Sequence, residues 1–130
     1  MSMNPRLVRF KGVSANLGAT GEIELDFGGA APTGGTSRVV KFELVRLKIR
    51  RTGGTAANFT PIVVEATGAT TGDIEEVYTG PATAVGTLFD QSPSGKVGRT
   101  NAAGKAFLIP GWDADVDNDC NYEVYVKVWL

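Results

Sequence analysis

Stretches in which apolar and polar residues alternate run along the whole chain, cut apart by glycine-rich clusters. The cleanest spans 21–27, where Ile23, Leu25 and Phe27 fall on one side and Glu22, Glu24 and Asp26 on the other. Successive side chains of a strand point to opposite faces, so this pattern predicts a strand buried on one face only. Residues 6–13 begin in the same way, with Val8 and Phe10 interleaved with Arg9 and Lys11. Residues 121–129 close the chain, with Tyr122, Val124, Val126 and Val128 alternating with Glu123, Tyr125, Lys127 and Trp129. Further strands are predicted at 58–66, 73–79, 83–89 and 105–110, each a short apolar run bounded by turn residues.

The strongest run, 37–51, carries a phase slip. Val40, Phe42 and Leu44 share a face, then Val45, Leu47 and Ile49 continue the apolar series on the other phase, with Arg46, Lys48 and Arg50 between them. A one-residue slip turns the core face outward unless an extra residue absorbs it, so a β-bulge is predicted near Leu44-Val45. Fifteen extended residues would span ~50 Å, long for a small domain. A strand that bends at the bulge and joins two sheets accounts for both features. Together the runs predict an all-β protein of about eight strands, arranged as an antiparallel β-sandwich of jelly-roll-like form.

Composition supports one domain over residues 1–130, a β-sandwich with a short extended N-terminal arm. A chain of 130 residues buries enough surface for a core of its own. The 17 glycines and 6 prolines cluster where turns are needed. The formal net charge of -1 lacks the basic surplus of a nucleic-acid-binding domain, so no nucleic acid is expected as a partner. No apolar run approaches the ~20 residues of a membrane span, so no membrane is expected either, and synthesis is placed in a cytoplasm. The single cysteine, Cys120, forms no internal disulfide and reads as a buried small residue.

Candidate chemistry is sparse. The chain has no histidine, which removes the usual general base, and no catalytic residues are assigned. The acidic stretch 113–123 offers Asp113, Asp115 and Asp117 as a candidate Ca²⁺ set. Asn118, however, stands where an EF-hand loop needs glycine, and Val124 where it needs glutamate. The competing reading is a solvated turn, and no cofactor is expected. Two charged rows stand out, Glu22, Glu24 and Asp26 against Arg46, Lys48 and Arg50. They either pair across a hairpin or join one copy to the next, head to tail. Exposed Tyr125 and Trp129, with Arg6 and Arg9 of the basic N-terminal segment, are candidate partner contacts. Trp112, beside Asp113, Asp115 and Asn118, is the candidate platform of an alternative reading, a carbohydrate-binding module or receptor-binding appendage domain.

The Gly/Thr/Ala-rich turns Thr33-Gly34-Gly35-Thr36 and Thr52-Gly53-Gly54-Thr55-Ala56, the run from Asn101 to Pro110 and the terminal β-strand resemble, in style, small structural proteins of tailed-bacteriophage virions. That class includes capsid decoration (cement) proteins and tail or fibre components. The resemblance implies a non-enzymatic viral structural protein located in the virion after synthesis in the host cytoplasm. It also implies a homo-oligomer, a homotrimer by analogy, that binds a major capsid or tail protein.

Overall fold

The computed structural model describes residues 5–27, 40–65, 76–101, 104–114 and 117–129. The glycine-rich loop 28–36, residues 73–75 of one predicted strand, and Asp115 lie outside these residues. Among the described residues there are eleven strands and no helix. They are β1 (Arg6–Leu17), β2 (Ile23–Asp26), β3 (Lys41–Gly53), β4 (Asn58–Phe59), β5 (Ile62–Val64), β6 (Glu76–Thr79), β7 (Thr83–Ala84), β8 (Phe89–Gln91), β9 (Val97–Arg99), β10 (Lys105–Ile109) and β11 (Asn118–Trp129). Eleven replaces the expected eight for two reasons. The runs 58–66 and 83–89 each split in two, at Thr60-Pro61 and around Gly86, and β9 carries no alternation to announce it. From Arg6 onward the chain is a paired strand.

Every strand pairing is antiparallel. The larger sheet has the order β1-β11-β3, with β8 and β9 following one another along the far edge of β3. A second sheet has the order β2-β10-β5-β6, and β4 pairs with β7. One sheet curls into a half-barrel. The strand that ends the described chain is thus central: β11 pairs with β1 from Arg6–Val128 to Leu17–Asn118 and with β3 from Lys41–Trp129 to Gly53–Asp119.

The predicted bulge is present. Tyr125 pairs with Arg46 and Val126 with Leu44, so Val45 is the extra residue. It lets Phe42 and Leu44 before it, and Leu47 and Ile49 after it, all reach the core. The expected passage of this strand into a second sheet does not occur, since β3 stays beside β11 throughout. The bulge instead lies where β9 gives way to β8 on the other edge, with Leu44 N donating to Lys96 O at 2.9 Å. The expected hairpin of 21–27 with 37–51 is also corrected, because β2 pairs with β10 and β3 with β11.

Both main sheets feed one core. Ile23 and Leu25 of β2, Ala106 and Leu108 of β10 and Val63 of β5 join Phe42, Leu44, Leu47, Ile49, Val124, Val126 and Val128 of the larger sheet. Phe27 stacks on Phe42 at 5.1 Å and meets Phe10 of β1 edge-on at 4.8 Å. Burying side chains of this size contributes roughly 1.5–3 kcal/mol each. Among the described residues one polar side chain is wholly enclosed. Asn118 accepts from Ala56 N at 3.0 Å and donates through Nδ2 to Leu17 O and Ala114 O at 3.1 and 3.2 Å. It ties the end of β1, the turn after β3 and the approach to β11 into one knot.

Candidate functional site

Register decides what the larger sheet shows on the face away from the core, because residues paired across antiparallel strands share a face. Five cross-strand rows follow. They are Trp129, Lys41 and Arg99; Leu7, Lys127, Glu43 and Val97; Arg9, Tyr125 and Arg46; Lys11, Glu123, Lys48 and Asp90; and Val13, Asn121 and Arg50. Eight cations stand against three carboxylates on this one face. The whole chain is close to neutral, so the basic excess here is a matter of placement.

Two of the three carboxylates, Asp90 and Glu123, are engaged locally. Arg46 grips Asp90 through Nε at 2.9 Å and Nη2 at 2.7 Å. The hydrogen bond and charge of Arg46 hold the Asp90 carboxyl below its ordinary value, and Asp90 in turn raises the Arg46 guanidinium. Glu123 lies 3.3 Å from Lys48 Nζ and 3.9 Å from Arg9 Nη1. Lys41 Nζ sits 5.3 Å from the centre of the Trp129 ring, a cation–π distance. Lys11, Arg50 and Lys127 make no ion pair among the described residues.

One end of this face is hollowed into a groove of about 470 Å³, within the size range of ligand-binding clefts. Lys11 and Val13 of β1, Lys48 and Arg50 of β3, Asn121 and Glu123 of β11, and Leu88 line it. Val13 and Leu88 are two of the exposed large apolar residues, at 74% and 39%.

The residues singled out from sequence are distributed as follows. Arg9, Tyr125, Arg46, Lys48, Arg50 and Trp129 share the basic face, and Arg6 sits at the exposed start of β1. Glu24 and Asp26 are exposed on β2 in the other sheet, with Glu22 just before it. This acidic row is occupied within the molecule. Lys105 Nζ lies 2.9 Å from Glu24, whose hydrogen bond and charge raise the lysine, and Glu22 and Asp26 have partners as well. The two charged rows therefore do not pair with each other. Trp112 is 2% exposed and packs on Phe59 at 5.1 Å, so it offers no sugar platform. Asp113 accepts from Ala57 N at 2.8 Å and Asn58 N at 3.0 Å, which hold its carboxyl below the usual range. It works as a turn anchor. Asp117 is exposed with φ 60°, and no metal-capable cluster occurs among the described residues. Sequence reasoning did not assign Lys11, Val13, Leu88 or Lys127 to the face. Alternation with Phe10 places Lys11 beside Arg9, but only the pairing of β1 with β11 and β3 sets Lys11 and Arg50 on the same groove.

No protein-family model and no curated protein matches the chain.

Proposed function

We propose that the chain is a non-enzymatic structural protein of a virion, most concretely a capsid decoration protein, which works by adhesion of its larger sheet to an acidic capsid or tail surface. In this reading the two main sheets are the layers of a sandwich, rigid enough to hold one face ready for contact. The observation that carries it is the excess of cations on the face built by β1, β11 and β3, with Tyr125 and Trp129 among them. Arginine and aromatic residues are the side chains over-represented in protein interfaces, and an uncompensated charge field speeds and orients encounter with a partner of opposite sign. Self-association belongs to the same proposal. The acidic row on β2 is engaged within the molecule, so copies would meet through other surfaces.

Mass spectrometry of purified particles from cells carrying the gene tests the assignment. The chain is expected as a stoichiometric component that raised salt strips off. Particles that lack it would remove the reading. Light scattering at rising concentration tests self-association separately, with a mass above 13.7 kDa expected.

A further inference from the structure

We infer that the groove at the β1–β11–β3 end of the basic face seats an extended acidic segment of a partner protein, one that carries an apolar side chain next to its carboxylates. The inference rests on the adhesion reading above and names the chemistry of the partner at one place on that face. Three observations converge there. The hollow holds about 470 Å³. Two of its cations, Lys11 and Arg50, stand without an ion pair among the described residues, while Glu123 is already held by Lys48 at 3.3 Å. Val13 and Leu88, 74% and 39% exposed, line the same hollow.

Cations without ion pairs beside exposed aliphatic surface fit an extended ligand with a carboxylate and an apolar side chain two residues apart, because side chains at that spacing share one face. Asn121 adds an amide, able to donate to or accept from a peptide main chain. A second copy of this chain is the weaker occupant on charge, because the acidic row on β2 is already engaged with Lys105 and other partners.

Fluorescence anisotropy at low salt with a short labelled peptide that carries glutamate and leucine in turn at every second position, with serine between them, tests this on the full chain. The peptide is expected to bind about tenfold more tightly than a glutamate–serine or a lysine–leucine peptide. Arg50→Glu and Val13→Asp are each expected to weaken it by about tenfold or more, with the near-ultraviolet circular dichroism unchanged. Lys11→Gln and Leu88→Ser, both at exposed positions, repeat the test should either variant fail to fold. Equal binding of the glutamate–serine peptide, or binding indifferent to these four substitutions, would overturn the inference. So would a bound amphiphilic anion such as anilinonaphthalene sulfonate that the peptide cannot displace, or a dimer that Arg50→Glu disperses. The two readings fail separately. Loss of particle attachment in Lys127→Glu or Tyr125→Ala without any peptide binding leaves the face and removes the groove, whereas peptide binding by a chain absent from particles does the reverse.

Discussion

Arg46 holds Asp90 in a two-pronged grip, Nε to Oδ1 at 2.9 Å and Nη2 to Oδ2 at 2.7 Å, one residue beyond the bulge at Val45. The grip fastens β8, only three residues long, to the stretch of β3 where the outer edge changes partner. Such a fork fixes orientation as well as proximity.

The charge on Asp90 gives the contact a pH signature. Its folded-state value is depressed by Arg46, so the stabilisation is present above the ordinary carboxylate value near 3.8 and is lost as pH falls through the depressed one. Asp90→Asn is expected to lower the thermal midpoint at pH 7, by a margin that closes as the pH is taken down toward 2. Both groups are exposed, so the effect is modest and smaller in high salt. Thermal scans of the two proteins across pH measure it, and a difference independent of pH would contradict it.

Asn118 is expected to be far more sensitive. Replacing it by leucine removes the acceptor for Ala56 N and both donors to Leu17 and Ala114. Orphaning a buried polar group costs about 1–3 kcal/mol, and the backbone amide of buried Ala56 is one such group. Urea unfolding should show a loss of about 3 kcal/mol with an unchanged slope. A loss below about 1 kcal/mol would mean that water takes the place of the amide.

Burial pushes the Cys120 thiol up to about 11. The unfolded thiol ionises near 9, so the buried one opposes unfolding less and less as pH climbs from 9 to 11. Stability is expected to drop by about 2–3 kcal/mol across that window from this group, on top of any drop from Tyr78 and Tyr122, whose hydroxyls burial also raises. In Cys120→Ala the slope should flatten. At pH 8 the native thiol should react with a disulfide reagent only on the timescale of unfolding, and prompt labelling would show that the site is open.

Gly111 has φ 71°, and a Cβ built there would collide with the carbonyl oxygen of Thr60. That backbone contact cannot yield as a flexible side chain would, since Thr60 N donates to Gly111 O at 3.0 Å. Gly111→Ala is expected to cost about 2–4 kcal/mol, combining left-handed strain with overpacking. Calorimetry reads it as a lowered midpoint, and an unchanged midpoint would mean that the turn is not required.

Much of the fold was legible because burial follows backbone period. Ile23, Leu25 and Phe27 point inward as their alternation requires, and the slip at Leu44-Val45 marked the bulge. β9 was not legible, since Val97-Gly98-Arg99 buries only its glycine and is a strand because β3 lies beside it. The pairing of β2 with β10 was hidden for a different reason: more than seventy residues separate the strands, and side-chain pattern within a strand says nothing about its neighbour. Trp112 shows the same gap at the site. Its acidic surroundings suggest exposure, yet contacts with Phe59, fifty-three residues earlier, enclose it. The basic face was half visible, in that each strand shows which residues point outward but not which of them become neighbours.

The place of β11 between β1 and β3 has a consequence for how the molecule is made. Both of its neighbours leave the ribosome well before it, and neither pairs with the other. Until Asn118–Trp129 has been translated the larger sheet has no spine, and Phe10, Phe42 and the groove residues of β1 and β3 remain on unconnected stretches of chain. Joining partners as far apart as Arg6 and Val128 means closing a loop of roughly 120 residues, a step whose entropic cost precedes its reward. Its assembly therefore waits for the last of its strands.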